Sequence, residues 1–171
     1  MIEQTPWFDR KFDFNFPVGL FPVIVERLRG TAPHIENIVN NMKDQRLSEK
    51  IDDAWSVKEQ VGHLYDLEEL WYGRIEDFIA GEKMLRAADL RNTKTHEANH
   101  NQKTLRQLLI VFSDARNKLI KKVENFDEPT ASLTALHPRL QTPMRLIDSL
   151  FFVAEHDDHH VTKIRTLLQN N

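Results

Sequence analysis

Eight histidines, His34, His63, His96, His100, His137, His156, His159 and His160, and no cysteine bound the chemistry open to this chain. A neutral imidazole can ligate a divalent metal or relay a proton near neutral pH, whereas the lack of thiols removes disulfides, thiolate metal sites and a cysteine nucleophile. The densest group is Glu155-His156-Asp157-Asp158-His159-His160. On a helix, His156 and His160 share a face and can reach a single ion. Spacing alone is weak evidence, since a chain with this many histidines readily produces a pair four apart, and His96/His100 is a second one.

Placement separates the two pairs. With about 100° per residue and Leu150 set at zero, the apolar stripe of the last helical segment is centred near zero, His160 falls near about −80° and His156 near about −120°. His63 lies about −100° from Leu64, on the same side of its own stripe. Three imidazoles at the margins of apolar faces can converge in a crevice between helices, half dry and half wet, where helical bundles build metal sites. Such a set suits zinc, nickel or iron and leaves coordination positions for water or substrate. A plainer reading stays open, with His63 a satisfied boundary residue and His156 and His160 on the surface. His159, near about 180°, is expected to face solvent. His96 and His100 fall in the polar run Thr95-His96-Glu97-Ala98-Asn99-His100-Asn101, where capping or loop bonding is the expected role.

Asp157, near about −20°, lies inside the apolar stripe, where an unpaired charge would be costly. It must either orient a ligand histidine or pair with a core-facing arginine or lysine. Glu59 stands one turn before His63 and could orient it, although a capping role is the simpler account. His96-Glu97-Ala98-Asn99-His100 has the spacing of His-Glu-x-x-His but falls in a polar connection rather than on an amphipathic helix, and no Gly-rich phosphate loop or Gly-x-Ser-x-Gly occurs, so nucleotide-binding and serine-hydrolase readings have no motif behind them.

The elements that must hold these residues are four segments with a 3.6-residue apolar period. The first covers about residues 18–42, through Leu20, Phe21, Ile24, Val25, Leu28, Ile35, Ile38 and Val39, and should be kinked or broken at Gly30 and Pro33. The second opens on Ser56-Val57-Lys58-Glu59, a capping box, carries Val61, Leu64, Leu67, Trp71, Ile75 and Phe78, and should stop at Gly81. Trp71 belongs to its core face, and Trp55 before the cap is expected to act as a hydrophobic staple. The third covers about 102–123, and the fourth about 144–168, with Pro143 suited to its first turn. Polar connections, 82–101 and 125–142, join the later helices and are long enough to cross a bundle, and no period-2 run is long enough to nucleate a sheet. The expected fold is an all-α four-helix bundle that is nearly free of strands.

At 171 residues the chain fits one domain, 1–171, able to bury roughly two thirds of its unfolded surface. Hydrophobic residues at 40%, charged residues at 29% and only 5 glycines describe a soluble helical protein rather than a disordered one. The net charge of −3 is spread along the chain without a basic stripe, which makes nucleic acid a poor partner. No apolar run approaches the ~18 residues of a membrane span, and residues 1–11 lack the basic and apolar regions of a signal peptide. The expected compartment is the cytoplasm.

Several of these residues also form a recognisable pattern. Trp55-Ser56-Val57-Lys58-Glu59-Gln60-Val61-Gly62-His63-Leu64 resembles the helix-two signature of the DinB/YfiT family, and His137-Pro138-Arg139-Leu140 followed by His156-Asp157-Asp158-His159-His160 resembles its helix-four region. Arg10-Lys11-Phe12, Leu28-Arg29-Gly30-Thr31 and the Thr95 to Asn101 loop are similar as well, so the likeness covers nearly the whole chain. Lys163 departs from the pattern, where glutamine is more frequent. The resemblance implies an up-down-down-up four-helix bundle, often dimeric, with one divalent metal, zinc or nickel foremost and iron also compatible, held by His63, His156 and His160. It further implies a metal-dependent hydrolase or a thiol-dependent S-transferase or isomerase acting on a small molecule, in which the ion activates water or an external low-molecular-weight thiol. The alternative is a non-catalytic, stress-induced helical protein that holds metal or binds a ligand. Substrate, reaction and general base are not written in these motifs.

Overall fold

The computed structural model describes residues 2–169; Met1, Asn170 and Asn171, which fall within the expected 1–171 domain, lie outside the described residues. Among the described residues six α-helices and one hairpin follow each other: α1 (Phe21–Ile38), α2 (Val57–Ala80), α3 (Thr93–Glu97), α4 (Leu105–Val123), α5 (Glu128–Ala131), β1 (Thr134–His137), β2 (Thr142–Arg145) and α6 (Leu146–Gln169). The long helices α1, α2, α4 and α6 form the bundle.

Their boundaries follow from local chemistry. In α2 the Ser56 side chain accepts from the Glu59 amide while the Glu59 carboxylate accepts from the Ser56 amide, and Gly81 closes the helix in the left-handed conformation at φ 73°. The third long helix starts at Leu105 rather than residue 102, because Thr104 and Gln107 form a second capping box and His100–Gln102 is a separate 3₁₀ turn. No break interrupts α1 at Gly30 or Pro33. Its buried stripe of Ile24, Val25, Leu28, Ala32 and Ile35 outweighs the roughly 3 kcal/mol that proline costs inside a helix. Pro143 is not in the first turn of α6. It sits in β2 opposite Leu136, and the hairpin is held down by buried Ala135 and Met144. A single two-stranded sheet is present among the described residues, in keeping with a nearly strand-free fold.

Side-chain contacts give the helix directions. Glu68 meets Arg116 and Lys122 meets Glu76, so α2 and α4 run parallel. Arg27 meets Glu155 and Asp158 while Arg165 meets His34, so α1 and α6 run parallel. Gln60 meets His160 whereas Trp71 packs on Phe152, so α2 opposes α6. The order along the chain is therefore up, down, down, up, and the long connections are what allow consecutive helices α2 and α4 to run parallel.

Two apolar clusters fill the bundle. One contains Leu28, Trp71, Leu119 and Leu150, the other Ile35, Leu64, Leu108 and Ile164. Between them lies a buried ion network: Arg116 bonds both Glu68 and Asp157, and Thr31 donates to Asp157 at 2.7 Å. This is the core-facing base that Asp157 required. Burial by itself lowers the Arg116 pKa, but the Asp157 and Glu68 carboxylates outweigh burial and hold the guanidinium above its ordinary value.

Candidate metal centre

His156 and His160 leave α6 one turn apart, on the side that faces α2, and their orientation is set by the residue between them. Asp157 points into the bundle at Arg116, which leaves the flanking face, at 156 and 160, turned toward His63. One ligand nitrogen from each of His63, His156 and His160 falls within 4.8 Å of the others, and all three side chains are buried. Nε2 of His160 is 3.2 Å from Nε2 of His156.

For His63 and His160 the neighbours decide which nitrogen carries the proton. Asp66 accepts from the Thr95 hydroxyl at 2.8 Å and from Nε2 of His100 at 2.8 Å. With its hydrogen committed to Asp66, Thr95 Oγ1 accepts from Nδ1 of His63 at 3.1 Å, leaving the His63 Nε2 lone pair free. In the same way His160 Nδ1 donates to Gln60 Oε1 at 2.6 Å. Burial pushes His63 down to about 4, and pushes His156 and His160 well below the usual histidine value. The rings are neutral at neutral pH. Buried ring nitrogens turned toward one another repel unless a proton or a cation lies between them, and the donor set suits a divalent metal.

Sequence reasoning misjudged several neighbours. His159 is 3% exposed rather than solvent-facing, because residues 2–16 lie along α6 and put Trp7 against His159 and His156, at 5.6 and 4.9 Å. Arg10 ties that segment down through Glu155. Trp55 is no staple, since the position it would pair with is Gln60; its ring packs instead on His63 at 4.8 Å and His96 at 5.6 Å. His96 stays exposed, while His100 is buried and bonds Asp66 of α2 rather than capping or bonding within the loop. Gln60 was legible, because it stands one turn from His63 on the same face. Thr95 was not, as the five-residue α3 is too short to show an apolar period.

A cavity of about 1030 Å³ opens beside the three imidazoles. Trp7 and Phe8 from the N-terminal segment, Leu67 and Trp71 from α2, and Phe152 from α6 give it apolar walls, and Lys163 stands at the α6 side. A site of this kind can hold a small molecule with one end against the histidines.

The profile of the DinB superfamily matches residues 27–164. Among solved structures the chain is similar to YfiT from Bacillus subtilis, a probable metal-dependent hydrolase with an unusual four-helix bundle topology, with a TM-score of 0.80, 18% identity, and 94% of this chain and 93% of that one covered. It is also similar to the mycothiol-dependent maleylpyruvate isomerase, with a TM-score of 0.65, 11% identity, and 86% of this chain but 60% of that one covered. At these identities the likeness is one of fold. No curated protein matches the sequence significantly.

Proposed function

Since the chain belongs to the DinB superfamily, we propose that His63, His156 and His160 hold one divalent metal ion and that the cavity beside them binds a small-molecule substrate for hydrolysis or thiol transfer. The observation that carries this reading is the convergence of three buried, neutral imidazoles on one point. A divalent ion held there would lower the pKa of water or of a thiol brought against it, supplying a nucleophile near neutral pH.

The chain's own residues do the rest. Gln60 and Thr95 keep the ring protons of His160 and His63 on the far side of the site. Trp7, Trp71 and Phe152 exclude water from the substrate's apolar part. The chain has no cysteine, so a thiol in the reaction must be an external, low-molecular-weight one. YfiT is named a probable metal-dependent hydrolase and the maleylpyruvate isomerase is named mycothiol-dependent, which supports weighing hydrolysis and a thiol-dependent reaction. A protein that only stores metal has no use for a large cavity on the open side of three ligands, which favours catalysis over holding.

Elemental analysis of the purified protein is expected to give one divalent metal per chain. His63→Ala and His160→Ala should each lose it and retain the helical circular dichroism spectrum. A screen of esters and of thiols paired with electrophiles should give turnover that a chelator abolishes. Full metal content in both variants would overturn the site, and chelator-resistant turnover would overturn the role of the ion.

A further inference from the structure

Beyond Trp71 the same cavity reaches a second group of side chains that the three imidazoles do not use. Arg74 is 2% exposed, yet no carboxylate bonds its guanidinium: Nε donates to the main-chain oxygen of Arg86 at 3.1 Å, and Nη1 faces Nε2 of His137 at 3.1 Å. On the other side of that ring, His137 Nδ1 accepts from the Leu140 amide at 3.1 Å. An amide and a guanidinium can each only donate, and a neutral imidazole has one lone pair to offer, so one of these two donors is left without an acceptor. Burial, with Arg74 and Arg139 beside it, keeps the ring neutral. The Leu140 amide and the Arg74 guanidinium thus compete for a single lone pair, and this buried group holds more donors than acceptors.

Arg139 adds a third donor. Its Nη2 is buried without a hydrogen-bond partner, and its guanidinium lies over Phe8 and Phe152, at 5.2 and 5.9 Å from the ring centroids. The nearest acid is already committed, because Asp77 is bonded through both oxygens by Arg86. Glu3, Asp53 and Asp89 also line the cavity but are exposed to water. Buried cations without a counter-ion are costly, and the planar guanidinium fork fits a carboxylate better than any other small anion of biological acids except phosphate. The apolar wall next to it favours an organic acid over a free inorganic ion.

We propose that Arg74 and Arg139 bind the carboxylate of an organic acid whose apolar body lies along Trp71 and Phe152. That this acid is the substrate of the metal centre rests on the function proposed above. The geometry suits it: the Arg74 guanidinium and the His156 ring lie against the same Trp71 indole, at 5.3 and 5.8 Å from its rings. A short-chain acid anchored at the arginines therefore brings its other end to the three imidazoles.

The test is calorimetric titration of the full-length protein, stripped with chelator, using hexanoate and its neutral isostere hexanamide as probes. Hexanoate is expected to bind at least about ten-fold more tightly, as charge-assisted hydrogen bonds imply. In Arg139→Gln the preference should disappear while hexanamide affinity is unchanged; this residue stands in the hairpin turn and is half-exposed, so its replacement spares the core. Equal affinity of the wild type for the two probes, or a preference that survives Arg139→Gln, overturns the proposal. Metal content is measured in parallel on unstripped wild type: its failure there overturns the metal centre and leaves the carboxylate subsite standing.

Discussion

At His63 the ring proton is held by a relay of residues from two elements, because Asp66 takes the hydrogen of Thr95 and so turns the Thr95 oxygen into an acceptor. Removing that hydroxyl frees the ring to adopt the other tautomer or to rotate. Thr95→Val, similar in size, is therefore expected to lower metal affinity about 10–100-fold while the helices remain; competition with a chromophoric chelator measures it, and an unchanged affinity would show that the relay does not act on the ligand. Gln60 plays the corresponding part for His160. At His137, burial first and then Arg74 and Arg139 push the ring down to about 3 from the ordinary 6.5. The unfolded chain then binds its proton earlier as pH falls, so the stability this ring contributes is full above about 6.5 and is lost progressively toward about 3. Urea unfolding of chelator-treated protein at pH 7 and pH 4.5 should show this loss, and His137→Asn, which keeps an acceptor for the Leu140 amide, should show less of it.

At the scale of elements, the site depends on how closely the 82–101 connection lies on α2. Gly62 stands inside that helix, where alanine would ordinarily be more stable by about 0.5–1 kcal/mol. A Cβ there would meet the His100 ring at 2.2 Å, and the imidazole is buried against Asp66 with no room to retreat. Gly62→Ala is thus expected to destabilise the protein and loosen the Thr95 contact, against its helix propensity; a raised melting temperature would contradict the close approach. The ion network does for α6 what Gly62 does for the loop. Asp157 bonded to Arg116 sets the rotation of α6 that turns His156 and His160 toward α2. Arg116→Met would leave two buried carboxylates facing each other, a change expected to cost about 3–5 kcal/mol in chemical denaturation. A cost below about 1 kcal/mol would mean that water reaches the network.

Across the whole molecule, a polar layer divides the core. The ion network lies between two apolar clusters, and the three imidazoles meet at the side of that layer where α2 and α6 run antiparallel. Antiparallel packing is what matches the start of α2 with the second half of α6, so residues about 100 positions apart become neighbours. The hairpin and the N-terminal segment then close the cavity, the first bringing His137 and Arg139, the second bringing Trp7 and Phe8. No helix is long and apolar enough to cross a membrane among the described residues.

The amino-acid sequence by itself determined the four amphipathic helices, the capping box at Ser56, the stop at Gly81 and the edge positions of His63, His156 and His160, because each of these is a local matter of period, cap or spacing. It also required a partner for Asp157, since a charge inside an apolar stripe cannot stand alone. The identity of that partner, Arg116, was decided only by tertiary packing, as were the burial of His159 under Trp7, the placement of Thr95 behind His63 and the gathering of Arg74, Arg139 and His137. Those residues come from loops, a hairpin and separate helices. Their distances depend on how the elements dock, which no periodicity within one element records.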